Sequence, residues 1–295
     1  MTKPLLAVGL AAALALAAPM AGAEQVLIPA PDGVALVGHW MPRPGGGHGP
    51  AVVALHGCGG LFDRTGTAFD RRFSDYVERL HRAGFHVLLP DSFGSRGSGP
   101  ICTVPNGERS ITVETRRGDA LAAIDWLASH PEVDSRRIVI LGWSHGATTT
   151  LSALNAARPA HARNAVAAIV FYPGCSALLK QPFDLRVPTL MLLGEKDDWT
   201  PPQPCVRLVE RLRQARPAAE VEVHVYADSH HGFDSTRPVR FRPDVPNGAS
   251  REGVHSGGNP AARAAALHEL DAFLAARAGA ERRASSASPD VPPIR

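Results

Sequence analysis

Short apolar runs alternate along the chain with longer segments in which apolar residues recur at helical spacing, from about residue 34 onward. Strands with several apolar residues in succession are typical of a sheet that helices cover on both faces. The alternation therefore predicts an α/β protein with a mostly parallel sheet and crossover helices. The predicted strands span residues 51–55, 85–89, 138–141, 166–171, 187–193 and 221–226, and two edge strands, residues 26–28 and 34–40, precede them.

Helices are predicted wherever apolar residues follow the helical period between these strands. They span residues 69–83, 113–129, 203–214 and 261–278, and one more should begin just after Ser144. Two segments follow neither pattern: residues 92–111 are rich in Gly, Ser and Pro, and residues 236–260 are long and polar. Because long loops in compact domains are often functional, we expect these two to shape a binding pocket.

The two ends of the chain differ from its middle. Lys3, apolar residues 5–18 and the small residues 21–23 match the three parts of a secretory signal peptide. The apolar stretch is shorter than the roughly 20 residues that span a bilayer, so we expect cleavage, export to the periplasm or beyond, and no stable membrane association afterwards. Residues 24–279 should form the folded domain, whereas residues 280–295 have too little apolar content to fold.

The charge of the chain gives no indication of a nucleic-acid partner. Lysine and arginine number 31 against 28 acidic residues, a formal net charge of +3, and the arginines are scattered among acids. They form no basic block that would bind phosphate groups.

Four cysteines lie in the expected mature chain, and in an exported protein an even number favours disulfides. Cys58 and Cys102 follow the third and fourth predicted strands, and Cys175 and Cys205 follow the sixth and seventh. All four should emerge at the carboxyl end of the sheet, which predicts the pairs Cys58–Cys102 and Cys175–Cys205. The alternative is four reduced, buried thiols. Because no Cys-x-x-Cys pair occurs, zinc binding by these cysteines is not expected.

The residues Gly142-Trp143-Ser144-His145-Gly146 match the G-x-S-x-G nucleophile elbow. They follow a predicted strand and precede a predicted helix, as the elbow requires, and the glycines leave space in a sharp, strained turn. The alternative is a glycine-bracketed turn with an incidental serine, but the strand-turn-helix setting favours the elbow. We therefore predict an α/β-hydrolase fold with Ser144 as nucleophile.

A serine nucleophile needs a base to take its proton and a third group to orient that base. In α/β hydrolases the chain order is serine, acid, histidine. Asp197 stands three residues past the glycine that ends a predicted strand and is the favoured acid, with Asp198 as the alternative. His231, which a glycine follows in the loop after the last long strand, is the favoured base, with His230 as the alternative.

An oxyanion hole needs two N–H donors, one from the residue after the nucleophile and one from the loop after the third strand. His145 supplies the first. The second loop is the glycine-rich segment 56–60, in which the N–H of Cys58 is the predicted donor.

These motifs together resemble those of the dienelactone hydrolase family, over most of the expected mature chain. The resemblance implies a compact α/β hydrolase with about eight strands and little or no cap domain. It also implies a small-molecule ester or lactone substrate and no metal or organic cofactor. The matching stretches are residues 55–60, 119–126 leading into 133–134, 142–146, 194–201 and 231–234.

The sequence departs from the best-known members of that family at the nucleophile. Those members use cysteine, whereas Ser144 stands here, which moves the expected chemistry toward ordinary esterases. In those members arginines grip the substrate carboxylate, and Arg96 is the candidate for one of them. Ser235 stands four residues past His231, so a clamp of two arginines is not predicted.

The sequence thus predicts an enzyme that cleaves a carboxylic ester or lactone through an acyl-enzyme on Ser144. A serine peptidase or an acyltransferase on the same fold is the alternative of the same class. A noncatalytic binding protein is the alternative of another class, but such a protein would be expected to have lost one member of the triad.

Overall fold

The apolar runs form an eight-stranded sheet in the computed structural model, which describes residues 23–278. The order across the sheet is β1-β2-β4-β3-β5-β6-β7-β8, in which β2 runs antiparallel to both of its neighbours, β1 and β4, and the remaining neighbours are parallel. The predicted α/β-hydrolase architecture is confirmed. The strands are β1 (Glu24–Pro29), β2 (Ala35–Met41), β3 (Gly49–Leu55), β4 (His86–Asp91), β5 (Val133–Trp143), β6 (Ala165–Phe171), β7 (Thr189–Gly194) and β8 (Val221–Tyr226). The predicted signal peptide, residues 1–23, lies outside the described residues except for Ala23, and the predicted tail, residues 280–295, lies outside them entirely.

Helices cover both faces of the sheet and create two apolar cores. Successive residues of β3 point to opposite faces, so that Val53 packs under one helix layer and Val52 under the other. The first core lies beneath α2, α3 and α4, and the second beneath α1 and α5. The helices are α1 (Arg71–Arg82), α2 (Val113–Ser129), α3 (His145–Leu154), α4 (Gln203–Ala215) and α5 (Pro260–Ala278).

The starts of the first two helices follow from local sequence. The Asp70 carboxylate accepts the N–H of Arg72 at the start of α1, and the Thr112 hydroxyl accepts the N–H of Thr115 at the start of α2. Such side chains satisfy N–H groups that have no partner within the helix. None of the helices within residues 23–278 combines the length and apolar composition needed to cross a membrane.

The polar segment 236–260, predicted as a loop, contains a second small sheet. β9 (Arg240–Arg242) and β10 (Val254–Ser256) pair antiparallel within it. Val254 joins a third apolar cluster with Phe93 from the loop after β4 and Trp199 from the loop after β7. The two irregular segments therefore pack together over the carboxyl end of the large sheet.

Both predicted disulfides are present, and the described residues contain no free cysteine. Cys58–Cys102 joins the loops after β3 and β4, and Cys175–Cys205 joins the loop after β6 to the first turn of α4. The bridges close loops of 44 and 30 residues, for which chain entropy gives about 4 kcal/mol of stabilisation each. Two such bonds indicate an oxidising compartment.

Candidate active site

Ser144 lies on a sharp turn between β5 and α3 with φ of 53°, a left-handed backbone conformation that non-glycine residues seldom adopt. The flanking glycines make this turn possible. A Cβ atom on Gly146 would lie 2.1 Å from the carbonyl oxygen of Leu55, and one on Gly142 would lie 2.6 Å from that of Gly146. The backbone around the elbow therefore leaves no space for a side chain at either glycine position.

Replacing Gly146 with alanine is expected to destabilise the protein by more than about 3 kcal/mol, because the added methyl group meets backbone atoms that cannot rotate away. Gly99→Ala is the matched control, since nothing lies within 4 Å of a Cβ there. Urea unfolding of the three proteins measures the effect. Equal midpoints for the two variants would contradict this account of the elbow.

The structure brings Ser144, His231 and Asp197 into one hydrogen-bonded series. The Ser144 hydroxyl lies 2.9 Å from Nε2 of His231, and Nδ1 of that ring lies 2.9 Å from Oδ2 of Asp197. The three side chains come from the turn after β5, the loop after β8 and the loop after β7. All three residues are buried.

Surrounding groups fix the acid and the imidazole in place. Asp197 Oδ1 accepts the N–H groups of Trp199 and Thr200, and its Oδ2 also accepts the Thr200 hydroxyl at 3.0 Å. The rings of Tyr172 and Trp199 pack against the imidazole of His231, each with its centroid 4.6 Å away. A carboxylate held by several donors keeps the histidine in one tautomer and orientation.

The alternative residues, Asp198 and His230, point away from this series. Asp198 Oδ2 lies 2.7 Å from Nδ1 of His255, a residue of β10, and the N–H of His255 donates to Asp198 Oδ1 at 2.8 Å. The His230 ring lies 5.2 Å from the ring of His255. The geometry therefore favours Asp197 and His231 over their neighbours.

Cys58 and His145 were predicted to supply the N–H donors of the oxyanion hole. Both residues and Ser144 line a cleft of about 400 Å³. Within residues 23–278, neither amide donates a hydrogen bond to a protein acceptor. An oxyanion hole requires two N–H donors that are free to bind the substrate oxygen, so Cys58 and His145 remain the candidates.

Arg116, on α2, lies buried behind these amides. Its guanidinium donates to Nδ1 of His145 at 2.9 Å and to the carbonyl of His56 at 2.7 Å. Burial lowers the pKa of Arg116 to about 9, so the group stays charged at neutral pH. Since arginine only donates, Nδ1 of His145 carries no proton, and burial also holds the pKa of that imidazole well below its usual range. A buried cation therefore lies behind the candidate oxyanion hole.

A second buried group, the Asp234 carboxylate, joins several residues around the site. It accepts both hydroxyls of Tyr76 and Tyr172, the indole N–H of Trp143 and two N–H groups of Arg72, all at 2.6 to 3.2 Å. Burial raises the pKa of both tyrosines well above the usual value, so their hydroxyls remain donors. This carboxylate thereby joins α1, the residue before Ser144, the end of β6 and the segment after His231.

The structure does not bring Arg96 to the cleft, which corrects the expectation that it grips a substrate carboxylate. Its guanidinium is bound by the carboxylates of Asp119, at 2.7 Å, and Asp32, at 2.7 Å. These protein acids occupy the donors that a ligand would need. Arg96 therefore joins the turn between β1 and β2 to α2.

Arg109 lines the cleft instead, in the irregular segment after β4. Its Nε donates to the carbonyl of Val104 at 3.0 Å, and within the described part of the chain no carboxylate pairs with it. Burial lowers the pKa of Arg109, but arginine remains charged in proteins at neutral pH. Sequence alone gave no indication of this arginine, because its position in the cleft depends on how a loop folds.

A second cavity of about 180 Å³ lies on the other side of Ser144, between the segment 57–60 and the small sheet. It is lined by His231 and by three arginines of the polar segment, Arg237, Arg240 and Arg242. Ser144, Cys58 and Trp199 border both cavities. Ser144 is therefore accessible from both cavities.

The sheet order, the elbow and the hydrogen-bonded serine, histidine and aspartate define an α/β hydrolase. The sequence pattern described as "Dienelactone hydrolase family" matches residues 40–276, most of the chain. The protein belongs to the dienelactone hydrolase family.

Individual relatives share only part of their sequence with this chain. An uncharacterized protein of Mycobacterium tuberculosis is 34% identical over 128 residues, which cover 43% of this chain and only 40% of that protein. An Escherichia coli K12 protein named "Putative carboxymethylenebutenolidase" is 26% identical over 73% of this chain and 77% of its own. Thermogutta terrifontis esterase 2, solved phosphoramylated by tabun, superposes with a TM-score of 0.62 at 19% identity, over 88% of this chain and 96% of its own. That likeness shows the fold.

Proposed function

We propose that the protein hydrolyses a small carboxylic ester or lactone, with Ser144 as nucleophile, His231 as general base and acid, and Asp197 as the group that orients His231. The observation that carries the proposal is the pair of 2.9 Å contacts joining these three side chains at a nucleophile elbow. The names of the E. coli relative and of the Thermogutta enzyme support ester or lactone chemistry over peptide cleavage.

In the proposed reaction the Ser144 oxygen attacks the carbonyl carbon while His231 Nε2 takes the hydroxyl proton. The carbonyl oxygen becomes an oxyanion that accepts the N–H groups of Cys58 and His145. The intermediate collapses, and His231 returns the proton to the leaving alkoxide, which departs as an alcohol. A water molecule then gives its proton to His231 and attacks the acyl-enzyme, which releases the carboxylic acid and restores Ser144.

Activity on a panel of p-nitrophenyl esters of increasing chain length, lactones and a peptide p-nitroanilide tests this function. We expect turnover of esters or lactones and little cleavage of the anilide, because an amine is a poorer leaving group than an alkoxide. Higher kcat/KM on the anilide than on the matched ester would support the peptidase alternative. Transfer of the acyl group to an added alcohol in preference to water would support the acyltransferase alternative.

We also propose that the substrate carries an acidic group, which Arg109 contacts. Its unpaired, half-buried guanidinium lies in the same cleft as Ser144. A hydrogen bond to a charged partner contributes about 1.5 to 3 kcal/mol, or roughly 10-fold to 100-fold in affinity.

Arg109→Gln is therefore expected to raise KM by at least about tenfold for a monoester of a dicarboxylic acid, and to change KM little for the neutral ester of equal length. Arg163→Gln is the matched control, because Arg163 is exposed and precedes β6, at the opposite end of the sheet. Equal losses on the acidic and the neutral ester would contradict an ionic contact between Arg109 and substrate.

We further propose that the protein is exported. The two disulfides support this, because such bonds persist in oxidising compartments, and the signal-like segment at the start of the sequence agrees with it. Fractionation of expressing cells, with N-terminal sequencing of the product, tests the proposal. A product that keeps Met1 and stays in the cytosol would contradict it.

A further inference from the structure

Three side chains next to the candidate triad form a separate cluster with metal-ligand chemistry. Asp198 and His230 are the chain neighbours of Asp197 and His231, and His255 comes from β10. One potential ligand atom of each lies within 4.8 Å of the others. We propose that Asp198, His230 and His255, here called the outer cluster, bind a divalent cation of the zinc type.

The contacts within the outer cluster favour an incoming cation. Asp198 and His255 already share a 2.7 Å hydrogen bond between Oδ2 and Nδ1. Nδ1 of His230 is buried and, among the described residues, has no hydrogen-bond partner. Native proteins rarely leave a buried ring nitrogen without a partner. Coordination of His230 to a cation in the cluster would fix the orientation of its ring.

The donor set indicates which cation. Two imidazoles and one carboxylate are typical of Zn²⁺, which takes nitrogen and oxygen ligands at about 2.0 to 2.2 Å and completes its shell with water. Calcium and magnesium prefer oxygen ligands alone. The side chains of Asp198 and His255 are 35% and 44% exposed, so they can rotate the short distance needed to close around an ion. Binding would displace the proton shared by Asp198 and His255 into solvent.

A cation here would act on structure and would not touch the reacting atoms. It would join the loop after β7, the loop after β8 and the small sheet, which are the segments that carry or cover Asp197 and His231. The main chain already links two of them, since the N–H of Ala249 donates to the carbonyl of Asp198 at 2.7 Å. The outer cluster thus stabilises the site from its outer side, and this inference does not depend on the proposed function.

A second group supplies the matched control. Glu222 and His224 on β8 and Glu269 on α5 also place potential ligand atoms within 4.8 Å of one another. His224 Nε2 is bonded to Glu222 at 2.6 Å. This group has one imidazole and two carboxylates and lies apart from the loops of the outer cluster. The variant His224→Ala therefore removes a histidine that is likewise hydrogen-bonded to a carboxylate.

The test uses the untagged protein, stripped with a chelator and titrated with ZnCl₂ by calorimetry, with bound zinc counted by mass spectrometry. We expect one zinc ion per protein molecule, bound at the outer cluster, in the parent protein and in His224→Ala. His230→Ala and His255→Ala should each bind zinc at this site at least about tenfold more weakly, since loss of a direct ligand costs no less than loss of its outer-shell support. Zinc at 100 times its dissociation constant should raise Tm by about 5 °C or more in the parent.

Cobalt gives a second measurement, because tetrahedral coordination produces intense visible absorption bands. These bands should appear in the parent and in His224→Ala and be lost in His255→Ala. If His255→Ala does not fold, Asp198→Asn keeps the shape of the acid and removes its charge. Zinc affinity equal to that of the parent in both His230→Ala and His255→Ala, or no zinc bound by the parent, would overturn the inference.

Discussion

Replacing Ser144 with alanine should lower kcat by roughly 10⁴-fold to 10⁶-fold, the largest effect expected of any single substitution in this chain. The variant loses the atom that would bond to the acyl group, and the 2.9 Å contact with His231 is lost with it. Amide donors and binding contacts remain, so a small residual rate over the uncatalysed reaction is expected. The fold should survive, because alanine removes one oxygen and adds no atoms to the turn.

The measurement compares kcat on a good ester substrate with Tm for the parent, Ser144→Ala and the control Ser176→Ala. Ser176 also lines the cleft but is exposed and outside the elbow. A fluorophosphonate probe should label Ser144 in the parent and the control, and nothing in Ser144→Ala. Labelling of another serine, or turnover that survives in Ser144→Ala, would falsify the assignment of the nucleophile.

The second large effect separates neighbouring residues that the sequence could not separate with certainty. His231→Ala and Asp197→Asn should each reduce kcat by about 10⁴-fold, because the first removes the base and the second the acid that fixes its tautomer. His230→Ala and Asp198→Asn should each cost less than about tenfold, since neither side chain contacts the series of Ser144, His231 and Asp197.

These four variants are best assayed in chelator-treated buffer, so that any cation at the outer cluster is absent from all of them. Circular dichroism and Tm should accompany each rate, because a misfolded control would lose activity for an unrelated reason. A reversed ranking would move the triad by one position along the chain and leave the fold intact. Mild effects in all four would contradict the proposed serine-hydrolase function itself.

The large sheet was predictable from the sequence because its strands are buried on both faces. A strand buried on both faces consists almost entirely of apolar residues, so it can be recognised from composition. The apolar run predicted at residues 166–171 is an example, since β6 occupies residues 165–171. β5 begins five residues earlier than the predicted start at 138, because its first residues include Asp134 and the arginines that pair with it. Polar residues that satisfy one another can occupy a strand without any apolar signal.

The small sheet was not predictable for a different reason. β9 and β10 are three residues each, contain Arg240, Arg242 and His255, and are separated by more than ten residues. Their pairing depends on packing over the site, where Val254 joins the apolar cluster around Trp199. Neither composition nor periodicity reports such a contact.

Local motifs predicted the positions of the candidate triad, but they did not predict which charged side chains line the cleft. The elbow glycines and the offsets after β7 and β8 are short-range features, and the structure brings Ser144, Asp197 and His231 into contact. The partners of Arg96 are Asp32 and Asp119, 64 and 23 residues away, so its role in an ion pair could be recognised only from the fold.

The Asp234 carboxylate gives the site an uneven tolerance of sequence change. Each of its donors, Arg72, Tyr76, Trp143 and Tyr172, shares one acceptor, so loss of any one donor leaves the carboxylate with others. Loss of the carboxylate leaves the buried Tyr76, Trp143 and Tyr172 without this acceptor at once. A buried donor left unsatisfied costs more than one missing hydrogen bond. Divergence among related chains can therefore proceed through the donors one at a time, while the acceptor stays fixed until its partners have changed.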